Sequence, residues 1–359
     1  MNAQQTAPKV TKETKNKIRV EFERTSAWKR FKIKYLSMNF LIQVLFVIFR
    51  LVLLVGISYV ILFPFFSKIS SSFMSREDFV DVTVKLIPKY PTLDTYKAII
   101  TDNFYFKAML NTFVLSISCA LIQTFITTII GYGFAKFKFK GSNLLFFLVV
   151  FTMVVPHETL QLSMFMKFRY FDIFGIFGLL GGEGIPITNT VSILEGIKVL
   201  PFSSINLNNS YWPLYILSFG GLAFKNGLYI FMMRQFFRGV PDELEESAYI
   251  DGSGVFRTFV QIILPLSVPM MITIFLFAFS WQWTDDFYTT VFFTTEGLKL
   301  MPDVVAVPKS LDTNYAGQNL YVAAIRNTCG LMIIAPLIVL YLFCQRYLIQ
   351  GIERSGITG

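Results

Sequence analysis

The chain has 359 residues, of which 54% are hydrophobic and only 15% are charged. A soluble domain carries roughly 25% charged residues, so this balance argues against a soluble protein and predicts a polytopic membrane protein. There is one histidine, and the three cysteines lie in apolar runs, which argues against zinc or triad chemistry and predicts no metal site and no disulfide.

The first predicted element is a basic N-terminal extension, residues 1–40. It holds ten lysines and arginines but only three acids, so much of the net charge of +9 is concentrated there. This pattern is typical of a cytoplasmic tail beside anionic lipid and does not indicate a nucleic-acid partner. The segment stays polar for too long to be a cleavable signal peptide, so the first apolar run is predicted to remain as an anchor.

Six apolar segments follow, each near the roughly 20 residues that a bilayer-crossing helix requires. The predicted fold class is an all-α membrane protein with six transmembrane helices, in one domain over residues 41–359. The first span is predicted to end at Phe66, and the others to cover about 108–134, 144–166, 212–233, 264–284 and 321–344. Pro156 to Gln161 is predicted to break the third span.

Basic residues set the predicted orientation. Lys136, Lys138 and Lys140 lie in one short loop, while Arg238 and Arg346 follow the fourth and sixth spans. These segments are predicted to be cytoplasmic, as are both termini, in a multi-pass protein of the bacterial plasma membrane. The other connections are longer and rich in turn formers, and one of them carries an extra extracellular segment at about 179–208.

The largest cytoplasmic connection contains an acidic loop, residues 241–265. It reads "PDELEESAYIDGSGVFRTFVQIILP" and predicts a short helix, a turn at Gly252 and a second helix leading into the fifth span. Asp242 and Glu245 have the spacing of a capping box. A plain surface helix is one interpretation of this loop.

The spacing of Glu246, Ser247 and Ala248 to Gly252 and then to Leu264 and Pro265 supports a second interpretation. It resembles the EAA loop of ATP-binding-cassette (ABC) importer permeases, with serine where alanine is usual. Three further stretches resemble carbohydrate permeases, in particular the type represented by the second permease of the maltose importer. They are "MMRQFFRGVPDELEESAYIDG", "FSWQWTDDFYTTVFF" and "QRYLIQGIERSGITG". The resemblance covers about 45–175 and 210–359.

The resemblance implies a type I ABC importer permease fold with cytoplasmic EAA coupling helices. It implies a transport subunit, not an enzyme. The subunit would import a carbohydrate of oligosaccharide size, which an extracellular solute-binding protein delivers. The implied partners are a second homologous permease and two ATPase subunits, which bind ATP and Mg; no cofactor is expected in this chain, which has no G-x-x-x-x-G-K-[ST] motif. The implied ATPase-coupling residues are Glu243, Glu245, Glu246, Ser247, Ala248 and Gly252.

Several residues in or beside the spans are candidates for a translocation path. They are Gln123, Thr127, Glu158, Lys225, Trp281, Trp283 and Asp285. Each also has a structural interpretation: hydrogen bonding between helices, a packing pair, or an interfacial belt with solvated acids. A lysine inside a span is the most unusual of these, since it either needs a partner or extends to the interface. If Lys225 faces the path, it indicates an acidic or phosphate-bearing sugar.

Two alternatives to a carbohydrate importer remain open. A secondary transporter or channel would work without an ATPase, but it leaves the acidic loop unexplained. An ABC permease for a solute other than a sugar would retain that loop, although the flanking motifs favour sugars.

Overall fold

A computed structural model gives the structure of the chain. It describes Trp28, Thr313 and residues 38–173, 175–176, 204–294, 297–311 and 318–354. Most of the predicted N-terminal extension and most of the segment 179–208 therefore lie outside the described residues. Both remain predictions.

The described residues form helices and short helical turns. The helices are α1 (Met38–Ser71), α2 (Asp94–Asp102), α3 (Tyr105–Lys136), α4 (Ser142–Thr152), α5 (Gln161–Arg169), α6 (Trp212–Phe219), α7 (Asn226–Arg238), α8 (Glu243–Ile250), α9 (Val255–Trp283), α10 (Phe287–Phe292) and α11 (Gln318–Arg354). A single antiparallel bridge, Phe171 to Ile205, is the extent of β-pairing in these ranges. The all-α prediction is confirmed.

The first helix belongs to a separate compact unit, residues 1–69, and the rest of the chain forms a second. Helix α1 is 34 residues long with Pro64 inside it. Its central side chains, such as Leu45, Val52 and Val60, are exposed. An apolar surface on a helix of this length suits a lipid environment.

The second unit is built around α3, which packs against α7 and α9. The approach of α3 to α7 is close at Gly131, where an added Cβ would lie 2.5 Å from the Cβ of Met233. Farther along α7, an added Cβ on Gly227 would meet the Thr152 hydroxyl at 2.7 Å and the carbonyl oxygen of Val149 at 2.9 Å. These small residues let three helix backbones approach closely, as is common between membrane helices.

Four described helices are long and apolar enough to cross a membrane, and the bent pair of α4 with His157–Arg169 makes a possible fifth. The pair is bent by 95°, which confirms the predicted break near Pro156. The predicted fourth span is divided into α6 and α7 by the turn at residues 220–225. Neither half alone has the length of a span, so the number six remains a prediction.

Candidate functional site

The acidic loop folds as two helices at an angle, joined by a tight turn. Gly252 has a φ of +83°, and its N–H donates to the Tyr249 carbonyl while the Ser253 N–H donates to the Ala248 carbonyl at 2.9 Å. This pair of bonds is the Schellman motif, which requires a left-handed residue after the helix. No atom lies within 4 Å of a Cβ added at Gly252, so glycine is needed for its backbone angle and not for space.

The start of α8 is held to the end of α3 by two side chains of α3. Lys136, the last residue of α3, donates to Asp242 Oδ1 at 2.5 Å and to the Val240 carbonyl at 2.8 Å. Tyr132, one turn earlier, donates from its hydroxyl to Glu245 Oε1 at 2.9 Å. We call Tyr132, Lys136, Asp242 and Glu245 the α3–α8 clasp.

The clasp replaces the capping box that the sequence predicted. Asp242 makes no side-chain capping bond to α8, because its carboxylate is engaged by Lys136. The hydrogen bond and the charge of Lys136 together lower the pKa of Asp242 below its usual range. Spacing in the sequence could not show this outcome, since the competing donor lies more than a hundred positions away.

The Tyr132 ring contacts one aromatic ring just before the acidic loop and another within it. Its centroid is 5.4 Å from that of Phe237, near the end of α7, and 4.7 Å from that of Phe259 in α9. Phe259 begins a π-helical turn, Phe259–Ile263, just before Leu264 and Pro265. The loop is thereby packed against α3 at its beginning and again in its second helix.

The two faces of α8 differ in what they contact. Glu245 and Ala248 are buried within the chain, at 7% and 6% exposure, whereas Glu243, Glu246 and Ser247 are exposed. Burial of Glu245 and Ala248 favours a role in holding the helix, although both were predicted to meet a partner. The sequence did not single out Ile250 and Phe256 as site residues, although they are 85% and 80% exposed. The available signal was the presence of apolar residues beside acidic residues in a polar loop.

A second polar region lies where the predicted fourth span is broken. Lys225 precedes α7 with a φ of +65°, and its Nζ lies 4.5 Å from the ring centroid of Phe224 and 4.9 Å from that of Trp281. His157 packs edge-on against Phe224 at 4.8 Å. The break therefore brings Lys225, Trp281 and the bend of the third predicted span to one place.

A small recess of about 10 Å³ lies beside this cluster. It is lined by Gln123, Phe224, Ala278, Trp281, Gln282, Asp285 and Tyr288. The Gln123 amide lies 3.4 Å from the Ser218 hydroxyl, and Asp285 Oδ2 accepts the Thr289 N–H at 3.3 Å. Burial raises the pKa of Asp285, just after α9, to about 7. Four predicted path residues thus gather here: Gln123, Lys225, Trp281 and Asp285.

The other predicted path residues lie elsewhere. Thr127 is fully buried and donates to the Gln123 carbonyl of its own helix. Trp283 is 1% exposed and donates from its indole to the Ile333 carbonyl at 2.9 Å, so it presents no open ring face to a path. Glu158 is exposed and lines an open groove of about 380 Å³ with Thr159, Gln161, Leu162, Phe165, Thr290, Val291 and Thr294.

The described part of the chain contains no cluster of side chains suited to metal binding. No group of three or more His, Cys, Asp or Glu side chains there is arranged to hold an ion. Cys119 and Cys329 are buried and unpaired.

Residues 127–354 match the family described as "Binding-protein-dependent transport system inner membrane component". The chain belongs to this family. The match begins in α3, covers the acidic loop and ends with α11, so it includes both regions described above. It confirms the predicted resemblance and the class of transport permease subunit.

Curated relatives extend the similarity over most of this permease. It is 26% identical over 305 residues to the "Polygalacturonan/rhamnogalacturonan transport system permease protein YtcP" of Bacillus subtilis, covering 82% of this chain and 92% of that protein. It is 26% identical over 312 residues to the "Maltodextrin transport system permease protein MalD" of Streptococcus pneumoniae, covering 85% and 93%.

A solved structure shares the fold. It is described as a bacterial ABC transporter involved in the import of the acidic polysaccharide alginate. The TM-score is 0.60 at 21% sequence identity, with 87% of the permease and 98% of that chain covered. This likeness confirms a type I ABC importer permease fold.

Proposed function

We propose that the permease is one transmembrane subunit of an ATP-driven importer for a carbohydrate, with an oligosaccharide as the expected size class. The sugar is delivered by an extracellular solute-binding protein. A second homologous permease completes the path, and two ATPase subunits bind ATP and Mg. The transport systems named for the curated relatives, for maltodextrin and for polygalacturonan, support a carbohydrate substrate.

The outer surface of α8 carries the proposal. Exposed Ile250 lies on the same face of α8 as exposed Glu243 and Glu246, seven and four positions before it, and exposed Phe256 follows in α9. Exposed apolar groups among acids suit a protein partner. An anionic membrane surface would repel the acids, so lipid is a poor occupant. We infer that this surface docks on an ATPase subunit.

The clasp and the π-helical turn supply the mechanical connection. When ATP binding closes the ATPase pair, α8 is displaced as a rigid body. Its contacts with α3 and its continuity with α9 pass that displacement to the membrane helices. The path then opens outward to accept sugar from the binding protein, and the outer segments, including residues 285–320, contact that protein. In this arrangement the protein is a multi-pass component of the bacterial plasma membrane, with both termini cytoplasmic.

An assay of ATPase association tests the docking surface. Ile250→Ala removes an exposed apolar side chain whose burial contributes about 1.5–3 kcal/mol, so we expect roughly 10- to 150-fold weaker association with the ATPase and reduced ATP-dependent uptake. Ile87→Ala is the matched control, since Ile87 is 80% exposed in a different loop. Equal effects of the two variants would refute the docking surface.

A second experiment tests the class of transporter. Glu246→Lys combined with Gly252→Pro reverses a charge and disrupts the Schellman turn. We expect uptake to be abolished while the protein remains in the membrane at normal amounts. Uptake by the double variant, or uptake by the wild type without any ATPase subunit, would favour a secondary transporter or channel.

A further inference from the structure

Lys225 lies deep within the divided fourth span. Helix α7 runs 13 residues from Asn226 to Arg238. At about 1.5 Å per residue, Lys225 is about 20 Å from the helix end that leads into the acidic loop. The hydrocarbon core of a bilayer is about 30 Å thick, so Lys225 falls within its span. A charged group at such a depth is costly and marks a function or a specific partner.

The described part of the chain supplies no counter-charge for this lysine. No carboxylate among these residues forms an ion pair with it. The Nζ instead lies over the rings of Phe224 and Trp281. Ring faces attract an ammonium group and hold it in place, but they leave its charge unneutralised. The ammonium group is therefore available to an anion from outside the described residues.

The backbone holds Lys225 in a conformation that a side chain disfavours. The turn that divides the span has two positive φ angles, at Gly221 and at Lys225. Glycine adopts the first at no steric cost, whereas a residue with a Cβ pays roughly 1–2 kcal/mol in the left-handed region. Non-glycine residues kept in such conformations cluster at ligand-binding sites.

The neighbouring recess is small, at about 10 Å³, but it is lined by one buried polar group that lacks a partner. The Tyr288 hydroxyl is buried and has no hydrogen-bond partner in the described chain, although buried polar groups are nearly always paired. Trp281 is 48% exposed, so part of its ring is open. Asp285 is the carboxylate that lines the recess, where burial raises its pKa.

We propose that Lys225 binds the negatively charged group of an anionic saccharide during its passage through the permease. This proposal rests on the proposed function and narrows the substrate class to sugars that carry a carboxylate or a phosphate. Phe224 and Trp281 hold the ammonium group at the edge of the recess.

Uptake by the complete importer in proteoliposomes tests the charge preference. The probes are a galacturonic acid trisaccharide, the same trisaccharide with its carboxylates methyl-esterified, and a neutral trisaccharide with and without a terminal phosphate. We expect the wild type to take up the carboxylated or the phosphorylated probe at least tenfold more efficiently than its uncharged counterpart. The pair that shows the preference identifies the anionic group.

Variants then assign that preference to Lys225. Lys225→Met should bring the ratio of charged to uncharged uptake close to one, and Lys225→Arg should retain it. Arg234→Met is the matched control, because Arg234 also lies over an aromatic ring, that of Phe146 at 3.9 Å, near the other end of α7. The control should leave the ratio unchanged. Since all variants use the same binding protein, a change in the ratio arises in the permease.

Three results would overturn the proposal. Equal uptake of charged and uncharged probes, or uptake of uncharged probes alone, would reject an anionic substrate while leaving carbohydrate import intact. A uniform loss of all uptake in Lys225→Met, with an unchanged ratio, would assign the counter-charge to a neighbouring subunit. Failure of the wild type to take up any saccharide would reject the proposed function as well.

Discussion

Replacing Tyr132 with phenylalanine isolates one contact of the α3–α8 clasp. The substitution removes the hydroxyl that donates to Glu245 Oε1 at 2.9 Å and keeps the ring that packs against Phe237 and Phe259. Glu245 is 7% exposed, so its carboxylate would lose its donor where water has little access. A hydrogen bond to a charged group contributes about 1.5–3 kcal/mol.

That free energy corresponds to a roughly 10- to 150-fold increase in the population in which α8 is detached from α3. Hydrogen–deuterium exchange of the purified permease in nanodiscs measures this population through the amides of Glu243–Ile250. We expect their exchange to accelerate by a factor in this range. In the assembled importer, more ATP should be hydrolysed per sugar transported, because closure of the ATPases would move α8 without moving α3.

Tyr105→Phe is the matched control at the other end of the same helix. It removes a hydroxyl that donates to the Met332 carbonyl at 2.9 Å and lies far from the loop in sequence. If Tyr132→Phe accelerates exchange in α8 no more than Tyr105→Phe does, the clasp does not hold the helix. An unchanged ratio of ATP to sugar would separately show that the clasp plays no part in coupling.

Three further substitutions test local features of the fold. Gly252→Ala should destabilise the turn by about 1–2 kcal/mol because Gly252 has a positive φ. Gly254→Ala should not, because Gly254 has a φ of −77° and an added Cβ meets equally open space there. Hydrogen exchange of the α8 amides distinguishes the two variants. Gly227→Ala should lower the thermal midpoint of the detergent-solubilised protein, since its Cβ would overlap α4, and a neutral result would show that α4 and α7 are not in close contact. Trp283→Phe should cost about 1–3 kcal/mol because it removes a buried hydrogen bond and leaves space in the core, whereas Trp281→Phe should cost little stability; the reverse order in thermal unfolding would contradict the assigned environments.

The membrane class, the helical fold and the position of the acidic loop could be predicted from the sequence. Apolar runs of bilayer length and a glycine after a short helix are local signals, because they depend on residues close together in the chain. The break at Pro156 was equally local, since proline interrupts the helix in which it lies. The pattern around Gly252 led to the permease family for the same reason.

Other features depended on residues that are distant in sequence. Tyr132 and Lys136 determine which side of α8 faces α3. They do so by donating hydrogen bonds to Glu245 and Asp242, which no local sequence pattern shows. The environments of Trp281 and Trp283, near the end of α9, likewise depend on residues that are distant in sequence. Trp281 lies beside Lys225, whereas Trp283 is buried against α11, because successive helix positions point to different neighbours.

Hydropathy is enough to mark Lys225 as an unusual lysine within an apolar segment. Its surroundings become visible in the fold: a left-handed turn in place of a continuous helix, two ring faces in place of a carboxylate, and a recess shared with α3 and α9. The physical reason is that hydropathy reports the cost of placing a charge in the membrane. The groups that offset this cost are brought together by packing between separate helices.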